Sequence, residues 1–260
     1  GVITFSPHPL TVLHPAEPVP LLATIEERLT LLKQAGVSLV IPLTFTLELR
    51  QYSPEAFVRL LMNHLQMRGL ILGPDFSLGR DREGTISTLA QLGDSLGFTV
   101  ENVSAYTLDG RVVSSTAIRC ALSRGDVNEA RRMLGRPFSL SGPIGSTSRR
   151  GASLGFPTAN LLLEPGRALP RNGVYATIAK IPNGQFGSVT NIGHRPTFGH
   201  TERTVETHIL DFSGHLYGAT MTIDFVARIR DEVAFTDPQT LVAQIHRDVE
   251  ATRSLLGEHL

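Results

Sequence analysis

The 260-residue sequence is poor in two residue types on which several kinds of site depend. Its single cysteine, Cys120, excludes an intrachain disulfide and any zinc site built from several cysteines. It has only two lysines, Lys33 and Lys180, and neither follows a glycine. A Walker A loop needs a Gly-Lys-Ser/Thr step and is therefore excluded, so a phosphoryl transferase with this sequence would work without a P-loop.

The sequence also lacks an excess of charge and a long apolar run. Lys+Arg and Asp+Glu are balanced at 24 each, so no overall basic field favours nucleic acid or an anionic membrane as a partner. No apolar run approaches the roughly 18 residues that a membrane span needs, and no signal-peptide pattern is present. We expect a cytoplasmic protein of one large or two ordinary domains that binds neither nucleic acid nor membranes.

Residues 1–136 alternate short apolar runs with segments of helical spacing. The runs that predict buried strands are 1–5, 37–43, 70–73 and 98–103. The segments that predict helices are 25–34, 53–66, 85–96, 114–123 and 127–134. This alternation predicts an α/β domain with a parallel sheet and helices packed on it.

The pattern changes at Arg136-Pro137, where we place the boundary between two domains, 1–136 and 137–260. Beyond it, glycines and prolines recur at short intervals between runs rich in Val, Ile, Thr and Phe. These runs are 174–181, 186–192, 204–212 and 219–229. They are typical of an antiparallel barrel or sandwich. The segment 238–256 has apolar residues at four-residue spacing, which predicts an amphipathic C-terminal helix packed on the barrel.

The motif Gly-Phe-Pro-Thr-Ala-Asn at 155–160 gives the first chemical signal. Thr158 and Asn160 are two residues apart, so on an extended segment their side chains point the same way. A hydroxyl and an amide oxygen placed together can hold Mg²⁺, which takes oxygen ligands and keeps phosphate oxygens and waters in its shell. Taken alone, the motif is also compatible with a strand entry that has a proline bend and a polar edge.

Two further motifs follow in order, Asn-Ile-Gly-His-Arg-Pro-Thr-Phe at 191–198 and Val-Glu-Thr-His-Ile-Leu-Asp-Phe at 205–212. With residues 155–160 they resemble the G-F-P-T-A-N, N-x-G-x-R-P-T-F and V-E-x-H-x-L-D-F patterns in the kinase half of the bifunctional bacterial riboflavin kinase/FAD synthetase family. The resemblance implies a β-barrel kinase that moves the γ-phosphoryl group of ATP to riboflavin and gives FMN, with Mg²⁺ as its metal.

The resemblance also implies roles for single residues. It places ATP and its phosphates at Gly151, Gly155, Pro157, Thr158 and Asn160, the last two as Mg²⁺ ligands. Glu206 corresponds to the catalytic base that accepts the proton of the ribityl 5′-hydroxyl, although a strand carboxylate can also simply face solvent. Strand alternation places Glu206 and His208 on one face, and His208 belongs to the flavin or structural residues of the kinase.

Two more residues of the kinase motifs have open roles. Arg195 either lines the flavin site, steadies Asp211 or forms a structural ion pair. For Asn191 we expect that it fixes a turn before Gly193 rather than that it touches the substrate.

The segment 141–151 resembles the family's glycine-containing flap over the nucleotide phosphates, in which backbone N–H groups can cradle phosphate. Thr147 stands where a glycine is expected and Ala152 where an arginine is usual. We expect Arg149 and Arg150 to compensate for the lost charge.

The first domain resembles the FMN adenylyltransferase half of the same family, which transfers AMP from ATP to FMN and gives FAD. Residues 5–9 match F-x-P-H-P, 73–84 match G-x-D-F-x-F-G and R-x-G with Leu78 in a Phe position, and 114–119 match S-S-T-x-I-R. The resemblance implies a nucleotidylyltransferase-like fold with a Rossmann-type parallel sheet. The nucleotide and flavin site that it implies contains Pro7, His8, Gly73, Asp75, Phe76, Ser115, Thr116 and Arg119.

These motifs also have structural explanations. Hydroxyls at a helix start with an arginine one turn on suit a triphosphate tail, but Ser-Ser-Thr is also typical of an N-cap. His8 between two prolines is typical of a turn. Gly73 and Gly79 can serve only a tight loop.

The family's H-x-G-H motif is absent from the sequence. The family has it upstream of F-x-P-H-P, and this sequence starts at Gly1 in an apolar run without Met. Either the sequence lacks a natural N-terminus with the first strand, or the protein has lost adenylylation, and the retained S-S-T-x-I-R and G-x-D-F motifs favour the first. We expect this chain to form FMN and little or no FAD.

Two alternative functions remain open at this stage. One is a nucleotidyltransferase for another small molecule, which the barrel motifs disfavour. The other is a flavin- or nucleotide-binding protein without catalysis, which the intact Thr158, Asn160 and Glu206 disfavour. The sequence does not determine an oligomeric state.

Overall fold

The computed structural model describes residues 1–145, 154–197 and 200–257, and for 195–197 and 200–202 it describes the backbone alone. The chain forms two compact units, Gly1–Val113 and Ser114–Leu260. The helices over 115–134 therefore pack with the second unit, and the domain boundary at residue 137 stays a prediction. No helix in the described ranges has both the length and the apolar character that crossing a membrane requires.

The first unit has α/β architecture, as its alternating pattern predicts. Its elements are β1 (Val2–Ser6), α1 (Pro9–Leu13), α2 (Ile25–Gln34), β2 (Val40–Thr44), α3 (Leu47–Arg50), α4 (Pro54–Leu65), β3 (Gly69–Leu72), a 3₁₀ turn (Arg80–Arg82), α5 (Ile86–Leu96), β4 (Thr99–Asn102), β5 (Thr107–Leu108) and β6 (Arg111–Val112). Strand β1 pairs in parallel with β2, and β3 pairs in parallel with β4. By hydrogen bonding the parallel strands form two separate pairs, and β5 and β6 form a short antiparallel hairpin.

Local signals fix the helix starts of this unit. Thr24 and Glu27 form a capping box at α2, and the Ser53 and Thr85 hydroxyls cap α4 and α5. Between α4, α5 and the second parallel pair lies an apolar cluster, whose buried members are Val58, Leu72, Leu89 and Phe98. Helices α4 and α5 and the strand pair of β3 and β4 thus bury their apolar residues in one shared core.

The second unit is a closed antiparallel barrel with a C-terminal helix, which confirms the predicted class. Its elements are α6 (Ser115–Arg124), α7 (Val127–Leu134), β7 (Phe138–Gly145), β8 (Ala159–Leu161), β9 (Gly173–Ile181), β10 (Gly184–Thr197), β11 (His200–Ile209), β12 (Thr220–Arg230) and α8 (Pro238–Leu256). The six strands close in the order β10-β11-β8-β7-β12-β9. Helix α8 contacts β9, β10 and β12, and Val249 of its apolar stripe packs on the buried cluster of Val174, Val189 and Leu210.

The predicted flap over 141–151 is partly wrong. Residues 141–145 are the end of β7, where Ser141 pairs with Thr222 of β12 and Gly145 with Asn160 of β8. Gly142 allows this pairing, since a Cβ there would lie 2.1 Å from the carbonyl oxygen of Leu162. Thr147, Arg149, Arg150, Gly151 and Ala152 lie outside the described residues.

The barrel interior contains a connected set of hydroxyl groups, which we call the hydroxyl ladder. It consists of Thr177, Ser188, Thr190 and Thr207, and each is 0% exposed. The Thr207 and Thr190 oxygens are 3.0 Å apart, and the Thr177 oxygen lies 2.7 Å from those of Thr190 and Ser188. Because Thr177 and Ser188 also donate to each other's carbonyl groups, the ladder satisfies its hydroxyls without water.

Candidate active site

The site of the second unit is built on a row of three polar side chains across neighbouring strands. In the barrel register, Glu206 of β11 lies directly opposite Asn160 of β8 and opposite Asn191 of β10. Residues directly opposite each other on paired strands share a face of the sheet. Val205 and Thr207 are buried on the interior face, so the row lies on the outer face, as alternation predicts.

A cavity of about 250 Å³ is lined by Asn191 and Glu206 of this row, and we call it the row cavity. The segment 154–158, the segment 230–235 and helix α8 form its other walls. Its lining residues are Leu154, Phe156, Thr158, Val174, Val189, Asn191, Glu206, His208, Arg230, Glu232, Val233, Phe235, Leu241, Ile245 and Asp248. Mostly apolar walls with a few converging polar groups are typical of a small-molecule site.

The structure brings most of the predicted kinase residues together. Thr158, Glu206 and His208 line the row cavity, and Asn160 lies beside Glu206 across the strand pair. The turn expected at Asn191 is wrong, because β10 runs without interruption from Gly184 to Thr197 and Asn191 lies in its middle.

The remaining predicted kinase residues belong to the segment before β8 or lie outside the described part of the chain. Gly155 has a left-handed φ of 87°, which a glycine adopts without strain, and Pro157 is exposed. Gly151 and the side chain of Arg195 are not among the described parts of the chain.

His208 connects its strand to this segment. Its Nδ1 lies 2.9 Å from the carbonyl oxygen of Pro157. Since a carbonyl oxygen only accepts, Nδ1 carries the proton and donates, which leaves Nε2 as an acceptor in the neutral ring. The imidazole also meets the ring of Phe156 edge-on, with 5.4 Å between centroids.

A buried ion pair that the motifs do not reveal closes one side of the cavity. Asp248 of α8 is 3% exposed and accepts two charged hydrogen bonds from Arg230 of β12, at 2.9 Å from Nε and 2.7 Å from Nη2. The Gln244 side-chain amide donates to the same carboxylate at 3.0 Å. Because the charges are paired and hydrogen-bonded, the pair holds α8 to the barrel without an uncompensated buried charge.

A second carboxylate explains the glycine in the 191–198 motif. A Cβ on Gly193 would lie 2.0 Å from Oε1 of Glu232, which lines the row cavity. Oε2 of Glu232 accepts a hydrogen bond from the Asn172 amide at 3.2 Å. Gly193 therefore leaves room for a carboxylate that sequence reasoning missed.

A second cavity, of about 650 Å³, lies on the other side of Thr158, and we call it the loop cavity. It is lined by Ile144, Pro157, Thr158, Ala159, Thr207, Ile209, Phe212, Ser213, Gly214, His215, Leu216 and Tyr217. Thr158 borders both cavities and is therefore placed to contact two ligands at once.

Asp211, at the end of the 205–212 motif, pairs with Arg253 of α8. The two guanidinium nitrogens of Arg253 donate to the two carboxylate oxygens at 2.7 and 2.8 Å. The hydrogen bonds from Arg253 hold the pKa of Asp211 below its usual value. This pair fixes the end of β11 to the last turns of α8.

In the first unit, the described pocket nearest to the predicted residues has a volume of about 540 Å³. It is lined by Phe5, Pro9, Leu10, Leu13, Phe45, Leu49, Arg50, Phe57, Phe76, Ser77, Leu78, Gly79, Asp81 and Arg82. We call it the phenylalanine cavity. Its apolar wall and the Arg50 and Arg82 side chains fit a planar aromatic ligand that carries negative charge.

Among the predicted residues of this unit, Phe76 lines the phenylalanine cavity. Pro7 follows a cis peptide bond, and His8 caps α1 because its Nδ1 accepts from the Leu10 N–H at 3.2 Å. Gly73 accepts from the Phe76 N–H in a tight turn that leaves Asp75 exposed. The turn explanations of His8 and Gly73 are thus found in the structure.

The other three predicted residues lie on α6 of the second unit. Ser114 is the N-cap and accepts from the Ala117 N–H at 3.2 Å, which leaves the adjacent Ser115 and Thr116 exposed in the first turn. Arg119, one turn on, is half-buried, and burial lowers the pKa of its guanidinium.

The donor set for a metal is sparse. In the described ranges no group of three or more His, Cys, Asp or Glu could hold a metal ion. The Thr158 hydroxyl and the Asn160 amide oxygen are oxygen donors near the row, which suits a hard cation whose other ligands are phosphates and water.

Comparison with known proteins finds a family model for each part of the chain. A family model described as riboflavin kinase matches residues 134–256, and one described as FAD synthetase matches residues 1–117. The chain is 38% identical over 262 residues to the bifunctional riboflavin kinase/FMN adenylyltransferase of Pseudomonas fluorescens, with 98% of this chain and 82% of that protein covered. For the protein of the same description from Haemophilus influenzae, identity is 33% over 238 residues, with 91% and 77% covered.

A solved structure is also similar over most of the chain. It is the crystal structure of a protein from Streptococcus pneumoniae that is described as a macrolide-efflux protein. The TM-score is 0.88 at 30% identity, and the match covers 96% of this chain and 82% of that one.

Proposed function

Since the chain belongs to the bifunctional riboflavin kinase/FMN adenylyltransferase family, we propose that the row Asn160–Glu206–Asn191 is the centre of its riboflavin kinase site. The activities of the family make FMN from riboflavin and FAD from FMN, so the chain is a transferase of FMN and FAD biosynthesis with ATP and flavins as substrates. The observation that carries the proposal is the position of Glu206, which lies opposite Asn160 and Asn191 on the neighbouring strands and lines the row cavity.

Each of the two cavities that border Thr158 is assigned one of the two substrates. The row cavity has apolar walls from Phe156, Phe235 and Ile245, which suit the isoalloxazine ring, and Glu206 in its lining, within reach of the ribityl chain. The larger loop cavity takes the nucleotide. The γ-phosphoryl group then lies near Thr158, where the two cavities border each other.

Glu206 acts as the general base of the phosphoryl transfer. Its carboxylate accepts the proton of the ribityl 5′-hydroxyl while the hydroxyl oxygen attacks the γ-phosphorus, and the bond from that phosphorus to the ADP oxygen breaks. Asn160 and Asn191 flank the carboxylate and orient it and the substrates through their amides. The reaction needs no covalent enzyme intermediate, so positioning and charge stabilisation supply most of the catalysis.

Thr158 and Asn160 would hold the Mg²⁺ that accompanies ATP, together with phosphate oxygens and water. When bound, the ion neutralises negative charge on the phosphates. The absence of an acidic cluster among the described residues fits an ion that arrives with the nucleotide rather than one held by a protein cage.

In the first unit, the phenylalanine cavity is the site for the flavin of FMN. Phe76 and the neighbouring Phe5, Phe45 and Phe57 offer ring faces and edges, and Arg82 supplies positive charge. For Ser115, Thr116 and Arg119, which lie on α6 of the second unit, the proposed ligand is the phosphate of a nucleotide, because a helix start with exposed hydroxyls and an arginine favours anions. A cytoplasmic location is supported by the single cysteine and by the metabolic role of the family.

The first test is flavin chromatography after incubation with riboflavin and ATP, with and without Mg²⁺. We expect FMN to form only when Mg²⁺ is present. Glu206→Gln keeps the size of the side chain but loses the base, so it should lower kcat for FMN formation by about 100-fold or more.

The matched control is Glu164→Gln, which removes an exposed carboxylate that does not line either cavity. It should leave kcat unchanged. A Glu206→Gln protein with nearly the original kcat would assign the base to another group, and flavin bound without turnover in the unchanged chain would favour the binding-protein alternative.

A further inference from the structure

Three aromatic rings meet next to the phosphate segment, and we call Phe156, His208 and His246 the ring clamp. Phe156 lies between the two imidazoles and meets both edge-on. The centroid distance is 5.4 Å to His208 of β11 and 5.0 Å to His246 of α8, with interplanar angles of 77° and 79°. Edge-to-face packing of this kind is favoured between aromatic rings.

The ring clamp is joined to both cavities. Phe156 precedes Pro157, whose carbonyl accepts the hydrogen bond from His208, and Thr158 follows at the border of the two cavities. On α8, His246 follows Ile245, which lines the row cavity. The contact between Phe156 and His246 thus connects α8, which lines the row cavity, with the segment 154–158, which presents Thr158.

The segment that presents Thr158 has an irregular backbone. Residues 154–158 form no helix or strand, and both Gly155 and Pro157 are exposed. Among the described residues, this segment is held near Thr158 by the hydrogen bond between the Pro157 carbonyl and His208 and by the two ring contacts of Phe156. A short irregular segment needs such outside contacts to hold a ligand in one place.

We propose that the ring clamp positions Thr158, so that helix α8 sets the affinity for Mg·ATP as well as walling the flavin cavity. The proposal rests on the proposed function, in that it takes Thr158 as a phosphate or Mg²⁺ ligand. His246 and Phe156 are positioning residues, because they act on the nucleotide through Thr158. His246 is exposed, so its replacement tests the contact without opening the core.

The test is steady-state kinetics of FMN formation with riboflavin and Mg·ATP varied separately. We expect His246→Leu to raise KM for Mg·ATP about 3- to 10-fold while kcat stays within about 2-fold. His246→Phe keeps a ring edge against Phe156 and should restore KM. Glu250→Leu, an exposed replacement one turn further along α8, is the matched control and should leave both constants unchanged.

A double variant separates the ring contact from a general effect of α8. If His246 acts through Phe156, then His246→Leu should add nothing to the KM of Phe156→Leu. Three results would overturn the proposal. They are KM increases that multiply in the double variant, an unchanged KM in His246→Leu, and a KM that His246→Phe does not restore.

Thr158→Val distinguishes this inference from the proposed function on which it rests. If Thr158→Val raises KM for Mg·ATP and His246→Leu does not, the proposed role of the ring clamp is wrong, while the assignment of the kinase site stands. If Thr158→Val itself leaves KM unchanged, the assignment of Thr158 to the nucleotide fails, and the ring clamp fails with it.

Discussion

At the scale of single residues, the hydroxyl ladder shows how a polar group can belong to a barrel core. Thr190 lies in its middle and bridges Thr177 and Thr207 at 2.7 and 3.0 Å. Thr207 stands between Glu206 and His208 in the chain, so the ladder supports the strand that carries both. A buried hydroxyl that loses its partner cannot turn to water, and its desolvation is then uncompensated.

Replacement of Thr190 tests this support. Thr190→Val has nearly the same shape but removes both hydrogen bonds, so it should lower the free energy of unfolding by about 1–3 kcal/mol. Thr222→Val is the control, because its 2.9 Å bond to Ser141 lies at a half-exposed position where water can replace it. It should cost less than about 1 kcal/mol. Denaturant unfolding of both variants measures the difference. Equal decreases in the free energy of unfolding would show that the hydroxyl ladder stabilises the fold no more than the bond between Ser141 and Thr222.

At the scale of elements, helix α8 is capped at its start and tied by ion pairs at its middle and its end. Asp237 caps its start, the Arg230–Asp248 pair holds its middle, and the Asp211–Arg253 pair holds its end. Since α8 also walls the row cavity, each attachment affects the shape of the proposed flavin site.

The cap at Asp237 makes the stability of the start of α8 depend on pH. Its carboxylate accepts from the Thr240 hydroxyl at 2.6 Å and from the Thr240 N–H at 2.8 Å, and these bonds hold the pKa of Asp237 below its usual value. Because the folded pKa is the lower one, the cap stabilises the fold above the unfolded pKa of about 3.9. That stabilisation is lost as the pH falls through the folded pKa.

The prediction is a pH-dependent difference between the unchanged chain and Asp237→Asn. Asparagine still caps but carries no charge, so it loses the attraction of a carboxylate for the helix start. The unchanged chain should have the higher Tm at pH 7, and the gap should close as the pH falls from about 5 to about 3 and below. Thermal unfolding followed by circular dichroism measures it, and a gap of constant size across that range would contradict the titration of Asp237.

The same helix shows what could be predicted from the sequence and what could not. Its apolar stripe follows from the four-residue spacing over 238–256, because that signal is local. The Arg230–Asp248 pair could not be predicted in this way. Register shifts in β12 between Phe225 and Ala227 and between Arg228 and Arg230 break the alternation that assigns side chains to faces.

In the row, the position of Glu206 followed from alternation, but that of Asn191 did not. A glycine two residues later predicted a turn, whereas in the structure Gly193 makes room for Glu232, which lies far along the chain beyond β12. Such a close approach depends on tertiary packing and leaves no local signal. The role of a glycine is therefore clear only when the atoms that approach it are known.

At the scale of the whole molecule, the two matched family models correspond to two units that each carry their own cavities. All residues of the Glu206 row belong to the second unit, and all that line the phenylalanine cavity belong to the first. If these are the sites of the two family activities, a replacement in one cavity should affect one reaction only.

Supplying each flavin separately tests this separation. With riboflavin, Glu206→Gln should lower FMN formation by about 100-fold or more, yet with FMN supplied it should form FAD at whatever rate the unchanged chain shows. Phe76→Ala should leave FMN formation from riboflavin unchanged, because it leaves the row intact. If the unchanged chain forms FAD, Phe76→Ala should lower that rate, since it removes a ring from the phenylalanine cavity. Chromatographic rates for both variants on both substrates complete the comparison. A loss of FAD formation in Glu206→Gln would mean that the kinase row also serves the second reaction, because a glutamine in place of glutamate leaves the packing of the barrel unchanged.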